Sequence, residues 1–328
     1  YEQLDKDKIK ESSSFFNERV LGQETAVKGV TARVRSITFP FINCLKSGGK
    51  GPKAVFLFAG PTGVGKTEMA KCISELVFGS GERMYRIDLS EYKEGHTVAR
   101  LIGSPPGYVG HDDGGQLTER ILRNPFQLVL MDEVDKPHES VHDILLSILD
   151  AGRLTDGKGR VADFSQSIIV LTSNLGAATA QKMYEVNPDV DYNSIDEAVR
   201  TDIRDFYVNR LGRPELYGRL IDSLVVFDFI RKDAQVKLLR KKLYTAADAI
   251  RMSNGIAVSG LEIAEAYLIS RLGEYITGGG RGIVKCVEKH FLEPFANLIY
   301  ERDIRNGADI RITDCRAGAS GATEIVLD

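Results

Sequence analysis

An α/β fold, built on a parallel sheet flanked by helices and followed by a smaller C-terminal α+β unit, is what this sequence predicts. Three observations carry the prediction. Short apolar runs at 54–59, 84–89, 127–131 and 168–172 alternate with helical stretches, and their unbroken hydrophobicity suits strands buried on both faces. A glycine-rich turn, Gly60 to Thr67, joins the first run to a helical pattern that opens near Glu68. Beyond Asp228 the strand-helix alternation stops and a different pattern begins, which places a large domain over 1–229 and a small one over 230–328.

In chain order, residues 1–19 are charged and helical in pattern, and end at the apolar step Val20-Leu21-Gly22-Gln23. A second helix follows to Thr38, and Lys46–Lys53 (KSGGKGPK) reads as an exposed loop. The four apolar runs come next, and Ser223–Phe227 (SLVVF) supplies a last strand of the large domain. The small domain reads as a helix over 231–253, a strand at Ile256–Val258, a helix over 261–274 and a break at Gly278-Gly279-Gly280. A long helix over 282–302 and two strands near 308–313 and 323–328 complete it. No internal repeat or low-complexity segment interrupts this order.

Composition narrows the function. The chain has 328 residues, 43% hydrophobic and 27% charged, which describes a water-soluble globular protein. A net charge of -3 supplies no global field for nucleic acid or an anionic membrane. Cys44, Cys72, Cys286 and Cys315 lie far apart with no C-x-x-C, so a reducing, cytoplasmic setting is the simpler expectation than a disulfide framework or zinc knuckle. No stretch has the length and apolarity to span a bilayer, and no signal-peptide pattern opens the chain. Tyr1 in place of Met predicts a piece of a longer polypeptide.

The chemistry begins at Gly60-Pro61-Thr62-Gly63-Val64-Gly65-Lys66-Thr67, a P-loop in strand-to-helix context. Its glycines let successive N–H groups point at phosphate oxygens, and the helix N-terminus adds partial positive charge. Lys66 can reach the β- and γ-phosphates of a nucleoside triphosphate, and the Thr67 hydroxyl can bind Mg2+. The strand at 127–131 delivers Asp132 and Glu133, the first suited to hold Mg2+ and the second to polarise the attacking water. A further strand ends in Ser173-Asn174, where an amide can orient water or read the γ-phosphate, or simply cap a turn.

Taken in order, GPTGVGKT, GSPPGYVG, DEVDK, GRLTDGKGR and TSNLG resemble the ATPase module of the ClpB/ClpA-type AAA+ protein unfoldases, in particular the second of their two rings. The resemblance covers nearly the whole chain. It implies a P-loop NTPase fold with a C-terminal lid, ATP and Mg2+ as ligands, and a homo-oligomeric ring, a hexamer, acting on unfolded or aggregated proteins, with an adaptor or co-chaperone as a further partner. Val20 and Leu21 would then contact adenine, Asn174 would be sensor 1, and Arg219 the arginine finger, with Arg213 as second choice. Arg281 would be sensor 2, and Tyr108 with Val109 would grip substrate at the tip of the loop Gly103–Gly115. Gly152–Arg160 reads either as a second pore loop or as a plain β-turn.

Two positions depart from the family pattern: Gly218 stands where Asn is usual, and Gly279-Gly280-Arg281-Gly282 replaces the common Gly-Ala-Arg. The added glycine predicts a loosened helix entry. The peptidase-docking tripeptide Ile/Leu-Gly-Phe/Leu is absent from 175–211, which disfavours the alternative of an unfoldase serving a separate peptidase. A nucleic-acid motor is disfavoured by the aromatic, non-basic pore loop, and a non-hydrolysing scaffold by Lys66, Asp132 and Glu133. His138-Glu139-Ser140-Val141-His142 fits the zinc-protease signature H-E-x-x-H, but it follows the acidic strand directly and has no third ligand at a suitable distance. Both histidines therefore read as helix-surface or subunit-contact residues.

Overall fold

The structure is a computed structural model that describes residues 6–39, 51–104, 107, 114–318 and 322–328. The chain forms two compact units, Tyr1–Pro61 with Gly65–Asp228, and Phe229–Asp328 with Thr62–Val64.

The first unit is organised by five parallel strands: β1 (Ala54–Ala59), β2 (Met84–Asp88), β3 (Leu128–Asp132), then, after the short strands β4 (Arg153–Thr155) and β5 (Val161–Asp163), β6 (Ile168–Ser173) and β7 (Leu224–Val226). Their order across the sheet is β2-β3-β6-β1-β7. Buried Val, Ile, Leu, Phe and Met dominate β1, β3 and β6, as suits strands covered on both faces. Parallel pairing sets Ala59 beside Ser173 and Asp88 beside Asp132, so the C-terminal ends of the central strands finish level with one another. That edge is where an open parallel sheet presents its loops for binding. Phe58 and Phe227 pack edge to face at 5.1 Å and lock β7 onto β1.

The N-terminal stretch forms two helices, Lys6–Lys10 and Ser12–Arg19, ahead of Glu24–Ile37. β4 and β5 pair as an antiparallel hairpin, the turn connection that was one of the two readings of Gly152–Arg160. The Asp156 carboxylate closes the turn by accepting from the N–H groups of Lys158 and Arg160, so this is a hydrogen-bonded hairpin tip. Among the described residues no helix is long and apolar enough to cross a membrane.

His142 corrects the surface reading of the H-E-x-x-H pair. His138 is exposed and caps the helix Glu139–Ala151 by accepting from Ser140 N–H, whereas His142 on the next turn is buried. The His142 ring packs edge to face on Tyr207 at 6.1 Å, and its Nε2–H donates to the Val134 carbonyl at 3.1 Å.

The second unit packs the helix Lys232–Asn254 and the helix Leu261–Arg271 around a three-stranded sheet of order β10-β9-β8, with β8 (Ala257–Ser259), β9 (Asp309–Ala317) and β10 (Thr323–Leu327). Leu243, Leu268, Cys286, Phe291, Phe295 and Ile312 belong to its core. The long helix starts earlier than the sequence pattern indicates, at Gly279, and is continuous only through a π segment, Glu288–Leu292, that joins Gly279–Val287 to Glu293–Glu301. Pro294 explains the widening: it has no N–H to donate and its ring crowds the preceding turn.

Gly282 likewise reverses an expectation. A Cβ there would fall 2.0 Å from the Tyr275 carbonyl oxygen, so this glycine permits close packing rather than loosening the helix entry. Gly218, by contrast, lies in the helix Pro214–Leu220 with no atom near the place a Cβ would take. The two helical glycines therefore have opposite meanings. Gly282→Ala is expected to destabilise the second unit by about 1–3 kcal/mol through overpacking, whereas Gly218→Ala is expected to stabilise the first by up to about 1 kcal/mol through helix propensity. Urea unfolding followed by probes placed in each unit checks both signs.

Burial holds the His142 pKa below the ordinary histidine value. The unfolded chain, with its histidine titrating near 6.5, then binds this proton more readily than the folded chain, so stability is fully present above that value and is lost as pH falls below it. The urea midpoint of the first unit is expected to drop between about pH 7.5 and 5.5. In His142→Gln, whatever its starting stability, that pH slope should shrink; an unchanged slope would remove His142 as the cause.

Candidate functional site

Three adjacent strands end together at the candidate site: β3 in Asp132, β6 in Ser173, and β1 in the loop from Gly60. The loop curls because its glycines take backbone angles that side chains resist, with φ of 133° at Gly60, 74° at Gly63 and 108° at Gly65. A Cβ at Gly60 would meet the Phe227 carbonyl oxygen at 2.4 Å, and one at Gly65 would meet Val20 Cγ1 at 2.9 Å. Pro61 and Val64 are buried and Thr62 is exposed. Val20 thus packs over the loop, with half-buried Leu21 beside it in the chain. Arg19, the residue before, ties this segment down by pairing with Glu68 at 3.1 Å and Glu75 at 2.6 Å on the helix Lys66–Phe78.

Lys66 opens that helix and is 9% exposed. Its ammonium donates to the carbonyls of Gly60 at 2.5 Å, Pro61 at 3.0 Å and Ser173 at 3.1 Å, and to Asn174 Oδ1 at 2.9 Å. The loop lysine and the asparagine at the end of β6 are therefore in direct contact. Thr67, half-buried, follows on the same first turn.

The acidic pair divides into two environments. Asp132 is buried, accepts from the Thr172 hydroxyl at 2.8 Å on one oxygen, and pairs through the other with Arg86 Nε at 2.6 Å. Glu133 is half-buried with its backbone at φ 58°, a left-handed conformation unusual for a residue other than glycine. Its N–H donates to Thr172 Oγ1 at 3.2 Å. Asp135 accepts from Ser173 Oγ at 2.7 Å and from Asn174 N–H at 3.4 Å, so the acidic loop also holds the asparagine.

The sequence reading did not assign Thr172, Asp135 or Arg86. All three were within reach of the pattern: Thr172 ends an otherwise apolar run, Asp135 lies within DEVDK, and Arg86 interrupts the apolar run MYRIDL.

The two candidate arginines differ. Arg213 is bound by both guanidinium arms to the Asp143 carboxylate. Arg219 is 56% exposed and contacts one oxygen of the exposed Asp150. Arg281 is exposed on the helix Gly279–Val287 of the second unit. Tyr108 and Val109 lie outside the described residues. No group of three or more His, Cys, Asp or Glu suited to hold a metal occurs among the described residues, and His138 and His142 are engaged as described above.

The P-loop cradle and its acidic neighbours fit a magnesium nucleotide by the chemistry of their groups: glycine-shaped backbone, a cation already surrounded by oxygens, a buried carboxylate and a hydroxyl. Comparison with known proteins agrees on the nucleotide. A family model described as AAA domain (Cdc48 subfamily) matches residues 51–223. The chain is 36% identical over 94% of its length to the negative regulator of genetic competence ClpC/MecB of Bacillus subtilis, of which it covers 37%. It is 37% identical over 96% of its length to the chaperone protein ClpB 1 of Synechocystis, covering 33% of that protein. It is also 37% identical over 95% of its length to heat shock protein 100 of Trypanosoma brucei brucei, covering 34% of it. The chain thus spans about a third of the length of these relatives. Sheet order, P-loop and matched span lead to one assignment: the chain belongs to the AAA domain family, Cdc48 subfamily, and is a nucleotide-binding ATPase module like those of the Clp proteins.

Proposed function

We propose that this module turns ATP hydrolysis into mechanical work on protein substrates, as part of a homohexameric, cytoplasmic, unfoldase or disaggregase-type chaperone. The observation that carries the reading is the meeting of Lys66, Asn174, Asp132 and Glu133 at the ends of adjacent strands. The names of the relatives, chaperone protein ClpB and heat shock protein 100, support the choice of protein as substrate.

In this mechanism the loop N–H groups and Lys66 bind the β- and γ-phosphates, while Val20 and Leu21 contact the base. Mg2+, held by Thr67 and Asp132, would supply charge neutralisation on the phosphates. Glu133 takes the proton of the attacking water, and Asn174 orients that water or the γ-phosphate. Arg219 enters the site of the neighbouring subunit, and Arg281 answers to the γ-phosphate from the lid. Tyr108 and Val109 grip the substrate chain with contacts that suit many sequences. Adaptors or co-chaperones would select the client. A docked peptidase and a nucleic-acid track have no part in this reading.

Glu133→Gln is expected to bind ATP with near-normal affinity while turnover falls by about 100-fold or more, the scale on which a general base contributes. Fluorescent-nucleotide binding beside phosphate release checks it, and undiminished turnover would remove Glu133 from the role. Tyr108→Ala is expected to keep basal ATPase and lose substrate processing, measured as unfolding of a tagged fluorescent protein by the full-length assembly. Retained unfolding in that assay would defeat the pore-loop assignment.

A further inference from the structure

Gln23 is 2% exposed, and its amide spends both of its hydrogen-bonding faces on the backbone of a single residue 205 positions away. Nε2 donates to the Asp228 carbonyl at 2.8 Å, and Oε1 accepts from the Asp228 N–H at 2.9 Å. Gly22, at φ 73°, makes the turn that carries the chain from Val20-Leu21 into the helix Glu24–Ile37 and brings Gln23 inward. Chain residues 227 and 228 are held from the other direction as well. Phe227 N–H donates to the Ala59 carbonyl at 2.8 Å, and Gly60 is glycine at a place where a Cβ would strike the Phe227 carbonyl. The peptide at 227–228 is therefore gripped by the P-loop root and by the segment that follows Leu21. Asp228 is also the last residue of the first unit, and Phe229 begins the second.

We propose that Gln23 is a positioning residue for the nucleotide: its two-point clamp makes the Val20-Leu21 segment and the 227–228 peptide take up position together, so that occupation of the base site orders that peptide. The inference rests on Val20 and Leu21 as the base contact. A paired donor and acceptor fixes both direction and register, which an apolar contact of the same area would leave free to slide. Buried polar groups of this kind are costly when one partner is lost, so the two ends of the clamp move as one or the clamp breaks.

The test uses the intact chain, with ADP and inorganic tripolyphosphate as probes, calorimetric affinities, and hydrogen exchange over 224–230. Gln23→Ala removes both bonds. Gln23→Glu keeps the size but offers an acceptor to the Asp228 carbonyl, and serves if the alanine variant fails to fold. Both variants are expected to lose about tenfold in ADP affinity, the scale of one or two hydrogen bonds, with tripolyphosphate binding unchanged. ADP should slow exchange at the Asp228 amide in the parent and not in the variants.

Equal losses for the two ligands would reduce Gln23 to a structural residue and overturn the proposal. Unchanged ADP affinity, or exchange in the parent that ignores ADP, would also overturn it. Leu21→Ala separates the premise from the inference. If it leaves the preference for ADP over tripolyphosphate intact, the base contact itself is wrong; if it lowers that preference while the Gln23 variants do not, only the link fails.

Discussion

A lysine ammonium can leave water only where oxygen atoms replace its hydration, and most of this site follows from how that demand is met at Lys66. Two of its acceptors, the Gly60 and Pro61 carbonyls, belong to its own loop, and two, the Ser173 carbonyl and the Asn174 amide, belong to the end of β6. Such a set exists only because β1 and β6 are parallel neighbours in a register that sets Ala59 beside Ser173. The ammonium has three protons to share among four acceptors. An anionic phosphate oxygen in the cradle would draw those protons more strongly than these neutral acceptors, and Asn174 Oδ1 is one of the acceptors that would lose its share.

The two carboxylates show how adjacent acidic residues are given different environments. Thr172 serves both, donating its hydroxyl proton to Asp132 and accepting from the Glu133 N–H. With Arg86 on its other oxygen, Asp132 is held by charge-assisted and neutral bonds from two neighbouring strands. Glu133 keeps a half-exposed carboxylate on a left-handed backbone, a conformation that costs on the order of 1–3 kcal/mol and persists only where its surroundings impose it. The turn away from the strand direction separates the second carboxylate from the first. Under the proposed mechanism the metal-holding acid and the water-polarising acid would then stand one residue apart.

Much of this was legible in the sequence because its signals are local. The buried strands announce themselves as unbroken apolar runs, and the P-loop as glycines at fixed spacing between strand and helix. What sequence could not supply was partnership at long range. Nothing near Gln23 indicates Asp228, and nothing near Arg86 indicates Asp132. His142 was misread for the same reason: helical spacing placed it with His138, while tertiary packing placed it under Tyr207. The π segment at Glu288–Leu292 was hidden because its cause, Pro294, sits where a proline can as easily end a helix as deform one.

The two arginines offered as first and second choice sit in different ion pairs. A guanidinium fork laid on both oxygens of a carboxylate, as Arg213 lies on Asp143, is the strong and geometrically specific form of ion pairing. The arginine side chain is 23% exposed and its Asp143 partner 55%, so the pair is anchored mainly on the arginine side. Arg219 touches one oxygen of Asp150 with both side chains more than half exposed. Pairs of that kind contribute about 0–1 kcal/mol, little enough to be exchanged for a phosphate carrying more charge. Asp150 stands at the far end of the helix Glu139–Ala151, which begins just after the acidic loop. Both arginines thus rest on the one helix that follows the acidic loop, Arg219 loosely near its end and Arg213 by a fork near its start.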